Sequence, residues 1–316
     1  MSPKKLDLTG RRVFVAGHRG MVGSALMRRF ANQNCEVLVA AREELDLRDG
    51  AGVRAFLAAK KPDVVVVAAG KVGGIHANST FPADFIHDNL GIALNVISSS
   101  HEVGVSKLLY LGSSCIYPSP THQPIAEEQL LSGALEPTNE SYAIAKIAGL
   151  KLCQAYRRQH GADFISAMPT NLYGPGDNYH PENSHVVPGM IRRFHEAKLA
   201  NAAATTIWGS GRPRREFLFV DDLADACVFL LERYSEEQPI NVGIGHDVSI
   251  SECASLVADI VGYRGKLSYD SSRPDGAPRK LLDVSKLTRM GWSAKTGLRE
   301  GLHKAYDAFL AGDCRM

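Results

Sequence analysis

Short apolar runs alternate with amphipathic segments along the first half of the chain. Five runs rich in β-branched and other apolar residues predict strands, at residues 12–16, 36–40, 63–67, 107–111 and 163–168. The segments between them repeat apolar positions every three to four residues, the period of an amphipathic helix, and predict helices at residues 21–31, 53–59, 82–103 and 141–160. Such alternation predicts a parallel sheet whose ligands bind beyond the carboxyl ends of the strands.

The pattern loosens after Pro169. Residues 174–181 are rich in turn formers, and the rest of the chain mixes short strands with helices such as 249–261. We expect the segment 217–231 to return and pack on the sheet. The predicted fold is therefore α/β, a doubly wound parallel Rossmann-like sheet with a smaller mixed α/β substrate domain. The predicted cofactor-binding domain comprises residues 1–172 and 217–243, and the predicted substrate domain comprises residues 173–216 and 244–316.

Composition narrows the classes of partner. The chain has 316 residues and a net charge of +2, so it offers no electrostatic case for nucleic acid or a membrane surface as the main partner. The longest apolar run, residues 64–70, is far shorter than the roughly 20 residues of a membrane-spanning helix. The N-terminal sequence lacks an apolar signal core, so we expect a cytoplasmic location. Six scattered cysteines show no metal-ligand spacing, and no metal site or disulfide framework is predicted.

A glycine-rich loop follows the first predicted strand and opens the first predicted helix. Gly17, Gly20 and Gly23 are spaced three residues apart. Glycines at such a position allow a tight turn, a close approach of the backbone to a pyrophosphate and close packing of helix on strand. A glycine-rich loop alone can also mark a plain turn. The strand–loop–helix context favours a dinucleotide cofactor.

Two cations near this loop bear on the choice of cofactor. An acidic residue closing the second strand would bind the adenosine ribose of NAD. The first charged side chain there is instead Arg42, with Arg19 in the glycine loop as a second cation. Because guanidinium groups match a phosphate in a bidentate manner, we predict NADP(H). The alternative is that Arg42 is a solvated surface charge.

A serine, a tyrosine and a lysine carry the predicted chemistry. Tyr142 and Lys146 are four positions apart on a predicted helix and share one face, and Ser113 lies just past the fourth strand. These residue types form a hydride-transfer site acting on a carbonyl. Tyr142 would exchange the carbonyl proton, while Lys146 would lower the pKa of Tyr142 and bind the cofactor ribose. The alternative is an ordinary exposed pair on a helix.

Cys115 is unexpected in such a site, since carbonyl reduction needs no thiol. In an extended segment, residues two apart point to the same face, so Cys115 would face the substrate together with Ser113. This extra acid/base group suggests an enzyme that does more than transfer a hydride. The alternative is a buried packing thiol, which is the common fate of a cysteine.

The glycine loop, Ser113 and the Tyr142/Lys146 pair resemble the extended short-chain dehydrogenase/reductase family. Longer blocks resemble those members that act as 3,5-epimerase-4-reductases on GDP-4-keto-6-deoxy-D-mannose. These blocks lie at residues 15–26, 71–79, 82–87, 111–119, 136–150, 169–189, 208–212, 215–227 and 274–284. The resemblance therefore covers most of the chain. It implies NADP(H) as cofactor, the GDP-linked keto sugar as substrate and a homodimer formed through the helices at 82–103 and 141–160.

The resemblance also assigns roles to single residues. Cys115 would be the base and His185 the acid that invert C3 and C5 of the sugar, while Tyr142 and Ser113 would stabilise the enolate before Tyr142 protonates the reduced C4 oxygen. The implied cofactor contacts are Gly17, Arg19, Gly20, Met21, Val22, Gly23, Arg42, Asp46, Leu47, Ala68, Ala69, Leu111, Gly112, Lys146, Pro169, Asn171, Leu172 and His185.

Binding of the nucleotide sugar is implied for five residues of the second predicted domain. Arg193, Arg215 and Lys280 would contact the diphosphate, Trp208 would pack on the guanine base, and Asp275 would bind a sugar or ribose hydroxyl. The alternative is that these residues are ordinary surface charges and a core tryptophan.

Two other functions use related sequences. A nucleotide-sugar 4-epimerase or dehydratase would need neither Cys115 nor His185, and a sensor without turnover would lack an intact Ser/Tyr/Lys set.

Overall fold

The structure is a computed structural model that describes residues 6–315. The first five residues and Met316, which the predicted domain limits include, lie outside this range. The strands are β1 (Arg12–Ala16), β2 (Glu36–Leu38), β3 (Val64–Val67), β4 (Lys107–Leu111), β5 (Phe164–Pro169), β6 (Asn171–Tyr173), β7 (Ala204–Trp208), β8 (Arg214–Arg215), β9 (Phe217–Phe219), β10 (Ile240–Val242), β11 (Val248–Ser249), β12 (Lys266–Asp270) and β13 (Arg279–Lys280). The helices are α1 (Met21–Phe30), α2 (Gly50–Lys60), α3 (Ile75–Thr80), α4 (Pro82–Glu102), α5 (Glu140–His160), α6 (Val186–Leu199), α7 (Val220–Arg233), α8 (Ile250–Val261), α9 (Ser285–Arg289) and α10 (Leu298–Leu310).

Six parallel strands form the central sheet, in the order β10-β5-β4-β3-β1-β2. All five strands predicted from the apolar runs lie in it, so the predicted doubly wound parallel sheet is confirmed. The sixth strand, β10, pairs with β5 at one edge and was not predicted as a strand. The register aligns the carboxyl ends of neighbouring strands, since Ala16 lies opposite Val67 and Val67 lies opposite Tyr110.

The apolar strands are buried because helices cover both faces of the sheet. Along β3, Val64 and Val66 pack into one core cluster with α1 and α7, while Val65 and Val67 pack into a second cluster with α2, α4 and α5. Alternate residues of a strand point to opposite faces, which explains why the run is apolar throughout. Full burial of each such side chain contributes roughly 1.5–3 kcal/mol.

Helix ends follow local capping chemistry. Helix α2 begins at Gly50, three residues before the predicted start, because the side chain of Asp49 accepts a hydrogen bond from the amide of Ala51 at 3.1 Å. Helix α5 ends at His160, the end of the predicted range 141–160, and the next residue, Gly161, adopts the left-handed conformation with φ of 69°. The segment 217–231 forms β9 and most of α7, and α7 packs beside α1 on the sheet.

Three smaller sheets complete the fold, in the orders β11-β8-β13, β12-β7 and β6-β9. A third core cluster, which includes Phe194, Phe217, Val257 and Leu302, holds this part together. The domain limits given above stay a prediction. Within residues 6–315, no helix is both long enough and apolar enough to cross a membrane.

Candidate active site

The loops that follow β1 and β3 meet where the strand order of the sheet reverses. The chain passes from β1 to β2 on one side and later enters β3 on the other side of β1, so a crevice opens at their carboxyl ends. Gly17 follows β1 with φ of 89°, and a Cβ atom there would lie 2.7 Å from Cα of Ala69. A Cβ atom on Gly23 would strike the carbonyl oxygen of Gly17. Both positions therefore require glycine, because the loop packs closely against Ala69 and against the first turn of α1.

The N-terminus of α1 faces the same crevice. Its N-cap residue is Gly20, which has no side chain to bind the first amides, and the first turn carries no acidic residue. Free amides and the positive end of the helix dipole suit an anionic group. Eleven predicted cofactor contacts line one cavity there: Met21, Val22, Ala68, Ala69, Leu111, Gly112, Lys146, Pro169, Asn171, Leu172 and His185.

Seven predicted cofactor contacts do not line this cavity: Gly17, Gly20 and Gly23 of the glycine loop, and Arg19, Arg42, Asp46 and Leu47. Arg19 in the glycine loop forms an exposed ion pair with Glu43, with 3.1 Å between Nη1 and Oε2. Arg42 is exposed. The carboxylate of Asp46 forms an ion pair with Arg48, with 2.6 Å between Oδ2 and Nη2. Leu47 packs against the second core cluster. The Arg19–Glu43 ion pair nevertheless joins the glycine loop to the segment after β2, which also carries Arg42.

Ser113 and Cys115 line the cavity together, although the predicted backbone between them is wrong. Residues Ser114–Ile116 form a 3-10 turn rather than an extended segment, because the hydroxyl of Ser113 accepts a hydrogen bond from the amide of Cys115 at 3.2 Å. The strand-face argument therefore does not apply. The turn itself brings both side chains to the cavity wall.

Tyr142 and Lys146 lie one turn apart on α5 and both line the cavity. Burial raises the pKa of Tyr142, and its hydrogen bond with the Ser113 hydroxyl acts in the opposite direction. Burial lowers the pKa of Lys146 to about 8. The ammonium group of Lys146 donates to the carbonyl of Leu111 at 2.9 Å. In this structure the pKa of Tyr142 is therefore above its usual value, which differs from the sequence-based expectation.

Cys115 differs from the packing thiols of this protein. Cys153, Cys227 and Cys253 are buried, and burial raises the pKa of each to about 12. Cys115 is half-buried in the cavity wall instead. Its sulfur accepts from the ammonium of Lys280 at 3.5 Å and from the amide of Asn139 at 3.6 Å. The thiol thus lies beside a cation and a polar donor, open to the cavity.

His185 lies at the N-cap of α6 and lines the same cavity. The preceding residues are held by the loop after β3, because the amide of Gly74 donates to the carbonyl of Asn183 at 3.2 Å. Protein atoms around the ring displace water and so lower the pKa of His185, and the positive charge of Arg315 acts in the same direction. The imidazole is open to the cleft, where solvent moderates this effect. A neutral imidazole is therefore favoured before any anion binds.

A second cavity adjoins the first, and the two share His185 and Arg215. Four of the five predicted substrate contacts line this second cavity: Arg193, Trp208, Arg215 and Asp275. Lys280, the fifth, lines the first cavity at the thiol. The carboxylate of Asp275 already accepts from the amide and the hydroxyl of Ser210, both at 2.7 Å. Asp275 therefore tethers its loop to the turn after β7.

Trp208 is 38% exposed rather than a core residue. The guanidinium carbons of Arg193 and Arg273 each lie 4.8 Å from its ring centroid. A ring that attracts planar cationic groups in a cavity also offers a stacking surface to a planar base.

Sequence reasoning missed two residues of this site. Asn139 contacts Cys115, and it lies three residues before Tyr142 in a block that was noted only for its resemblance. Arg273 lies on Trp208 but belongs to an exposed loop with no local signal. Proximity to Tyr142 could have identified Asn139, whereas Arg273 is visible only in three dimensions.

The sequence model of the NAD dependent epimerase/dehydratase family matches residues 13–245. The chain belongs to this family. Its matched region includes the glycine loop, Ser113, Tyr142, Lys146 and Arg215, so the cavity is built largely from the part that defines an NAD dependent epimerase/dehydratase.

Individual family members match almost the whole chain. It is 59% identical to GDP-L-fucose synthase 1 of Arabidopsis thaliana, over 96% of this chain and 94% of that protein. It is 52% identical to GDP-L-fucose synthase of Escherichia coli, over 98% and 99% of the two chains. The solved structure of a GDP-L-fucose synthetase from Naegleria fowleri bound to NADP superposes with a TM-score of 0.89, at 26% identity and 98% coverage of both chains.

Proposed function

We propose that this chain is a GDP-L-fucose synthase, which converts GDP-4-keto-6-deoxy-D-mannose to GDP-L-fucose. The reaction inverts C3 and C5 of the sugar and then reduces the C4 ketone with NADPH. The observation that carries the proposal is a single cavity lined by two sets of groups. Ser113, Tyr142 and Lys146 suit reduction of a carbonyl, and Cys115 and His185 suit proton exchange at carbon.

The cofactor fits the crevice between β1 and β3. The glycine loop and the N-terminus of α1 would hold the pyrophosphate of NADPH, since no side chain caps the first amides of this helix. Lys146 would bind the nicotinamide ribose, and Arg19 and Arg42 would bind the 2′-phosphate. When bound, NADPH supplies the hydride that reduces C4. The NADP found in the Naegleria fowleri structure supports this choice of cofactor.

Epimerisation follows from the acidity of hydrogens next to a ketone. The C4 carbonyl acidifies the hydrogens on both C3 and C5. At each carbon, the thiolate of Cys115 removes the proton, so that the C–H bond breaks and an S–H bond forms. The electron pair moves to the C4 oxygen as an enolate. The imidazolium of His185 then delivers a proton to the opposite face of the same carbon, which inverts the centre.

One oxygen-binding group serves every step. Tyr142, supported by the Ser113 hydroxyl, donates a hydrogen bond to the C4 oxygen while the enolate exists. Because burial raises the pKa of Tyr142, the phenol stays protonated at neutral pH. The same group is therefore ready to protonate the C4 oxygen once the carbonyl has been reduced.

The second cavity would hold the GDP group. Arg193 and Arg215 would contact the diphosphate, as would Lys280 from the wall of the first cavity, and the guanine base would stack on Trp208. Asp275 would contact a hydroxyl of the ribose or sugar. Since His185 and Arg215 line both cavities, a substrate with its nucleotide in one would place its sugar in the other.

We also propose a homodimer through α4 and α5. Leu94 on α4 and Ile144 on α5 are 56% and 41% exposed, and pairing of such helices would cover them. Light scattering should give twice the mass of one chain, and a monomer would refute the dimer.

A thiol that acts as a base must stay reduced, which supports a location in the reducing cytoplasm.

The test of the proposed function is product identification. The protein is incubated with GDP-4-keto-6-deoxy-D-mannose and NADPH, and the product is assigned by nuclear magnetic resonance. We expect one NADPH oxidised per molecule of GDP-L-fucose formed. A product reduced at C4 but unchanged at C3 and C5 would reduce the proposal to a simple reductase. No consumption of NADPH would refute it.

A further inference from the structure

The ammonium group of Lys280 lies on the sulfur of Cys115. Its Nζ atom is 3.5 Å from Sγ. Within residues 6–315, no carboxylate lies within ion-pair distance of this ammonium group, whereas neighbouring Arg279 is paired with Asp247 at 2.5 Å. The positive charge of Lys280 therefore meets the thiol rather than an acidic side chain.

The backbone fixes this contact from both sides. Lys280 pairs with Arg215 in the β8–β13 ladder, and two residues later the amide of Leu282 donates to the buried carboxylate of Glu216 at 3.1 Å. Between them, the amide of Leu281 donates to the side chain of Gln123 at 2.9 Å. Gln123 belongs to the chain segment that leaves the Cys115 turn. Lys280 and Cys115 are thus held together by the fold before any substrate binds.

We propose that Lys280 is a positioning residue that holds Cys115 as a thiolate, and so prepares the base of the epimerisation. Adjacent cations stabilise the thiolate, which is the reactive form of cysteine. A second cation lines the same cavity, since Arg215 lies there with Cys115. Its guanidinium donates to the carbonyls of Arg214 and Asp275, and the carboxylates of Glu136 and Asp275 act on it electrostatically together with the thiol. Lys280 is therefore the cation in direct contact with the sulfur.

Lys280 would stabilise the thiolate of Cys115 twice in each turnover, once for each carbon that is inverted. Each inversion leaves Cys115 as a thiol and His185 as a neutral imidazole. Before the second carbon can react, the proton on sulfur must leave and a proton must return to His185. A fixed cation beside the sulfur favours that release. The inference rests on the proposed function for this step, but the contact itself can be tested without turnover.

Binding of the diphosphate, the role given to Lys280 under the proposed function, makes a different prediction if it is the sole role of this residue. A lysine that only binds diphosphate would affect the KM for the nucleotide sugar and leave the free thiol unchanged. A lysine that holds the thiolate would affect the reactivity of Cys115 in the absence of substrate.

The experiment measures alkylation of Cys115 by iodoacetamide at pH 7, followed by mass spectrometry of the peptide that carries it. The variants are Lys280→Met, Lys280→Gln and Lys280→Arg, with Lys266→Met as an exposed control on β12. We expect alkylation to slow about tenfold in the Met and Gln variants. The Arg variant should keep most of the rate because it keeps the charge, and the control should match the wild type. Circular dichroism establishes that each variant is folded, and the Gln and Arg variants suffice if the Met variant is not.

Two outcomes of these experiments distinguish a failure of this inference from a failure of the proposed function. Slower alkylation in a protein that makes no GDP-L-fucose would support the Lys280 contact and refute the function. Wild-type alkylation in the Met and Gln variants, with only the KM for the nucleotide sugar raised, would overturn the inference and leave the function standing. If the inference holds, the same variants also lower kcat for hydrogen exchange at C3 and C5.

Discussion

The ammonium group of Lys146 lies 5.8 Å from the ring centroid of Tyr142 and donates a hydrogen bond to the carbonyl of Leu111 at 2.9 Å. Lys146 is thus held by the end of β4, the strand that also leads to Ser113. With burial raising the pKa of Tyr142, this arrangement keeps a protonated phenol at the cavity. A proton donor for a ketone oxygen needs that protonation state.

Replacing this phenol tests its role directly. Tyr142→Phe should lower the rate of product formation about 100- to 10,000-fold, the usual contribution of a positioned proton donor. Affinity for NADPH, measured by fluorescence titration, should stay near the wild-type value. Tyr156→Phe, on the same helix but outside the cavity, is the matched control and should be fully active. A Tyr142→Phe variant with wild-type turnover would exclude the phenol as the donor.

Selectivity for NADPH should depend on the two arginines near the glycine loop. Arg42→Ala should raise the KM for NADPH about tenfold or more, because each charge-assisted hydrogen bond to a phosphate is worth roughly 1.5–3 kcal/mol. The KM for NADH, which lacks the 2′-phosphate, should not change. Arg54→Ala replaces an exposed arginine on α2 that pairs with Glu102 at 2.6 Å and should affect neither cofactor. Equal effects on NADPH and NADH would contradict the assignment.

The pH dependence should report the charge on His185. Partial removal from water and the positive charge of Arg315 both lower the pKa of His185. The role of His185 as the acid needs the protonated imidazolium. As pH rises through this lowered pKa, kcat/KM for hydrogen exchange should therefore fall. Arg315→Gln removes a positive charge, raises the pKa of His185 and should move this fall to higher pH.

The control for that profile is Arg299→Gln. It removes an exposed arginine from α10 that pairs with Asp259 at 2.8 Å, and it should leave the profile in place. A profile that moves to lower pH in Arg315→Gln, or does not move, would contradict the assignment of His185 as the acid.

Glu216 should be important for both stability and substrate affinity. Its buried carboxylate accepts from the amides of Ile244, Gly245 and Leu282 at 2.6, 2.7 and 3.1 Å. Glu216→Gln should lower the free energy of unfolding by about 2 kcal/mol, because one amide donor would then face another. Since Glu216 adjoins Arg215, the KM for the nucleotide sugar should rise as well.

Urea unfolding measures the first effect, with Glu300→Gln as control. Glu300 is an exposed residue that pairs with Lys304 at 2.7 Å, and its loss should cost less than about 0.5 kcal/mol. A Glu216→Gln protein with wild-type stability would show that the three amide contacts contribute little.

Local pattern was sufficient for much of the fold. The run at 64–67 is apolar at every position because the sheet is covered on both faces, and this is readable from sequence. The glycine spacing likewise predicted a tight turn and close packing of helix on strand, since only glycine fits at Gly17 and Gly23. The small edge strand β10 was missed because three residues are too few to show a period.

The contacts that assemble the site could not be read in this way. Lys280 reaches Cys115 across 165 positions of the chain, and Arg273 reaches Trp208 from an exposed loop. Such pairs depend on how elements pack, which no local spacing encodes. The turn at Ser114–Ile116 was missed for a local reason. The amide of Cys115 donates a hydrogen bond to the hydroxyl of Ser113, and this contact favours a turn where an extended backbone was predicted.

The most direct test of the account follows solvent hydrogen into the product. The protein converts GDP-4-keto-6-deoxy-D-mannose with NADPH in deuterated water, and the deuterium at C3, C4 and C5 is measured by nuclear magnetic resonance. Cys115→Ser is compared with Cys35→Ser, a half-exposed thiol outside the cavity. We predict deuterium at C3 and C5 but not C4 for the wild type and Cys35→Ser, and loss of both signals in Cys115→Ser with NADPH binding retained. Oxidation of NADPH without deuterium at C3 and C5 in the wild type, or full labelling in Cys115→Ser, would contradict the account.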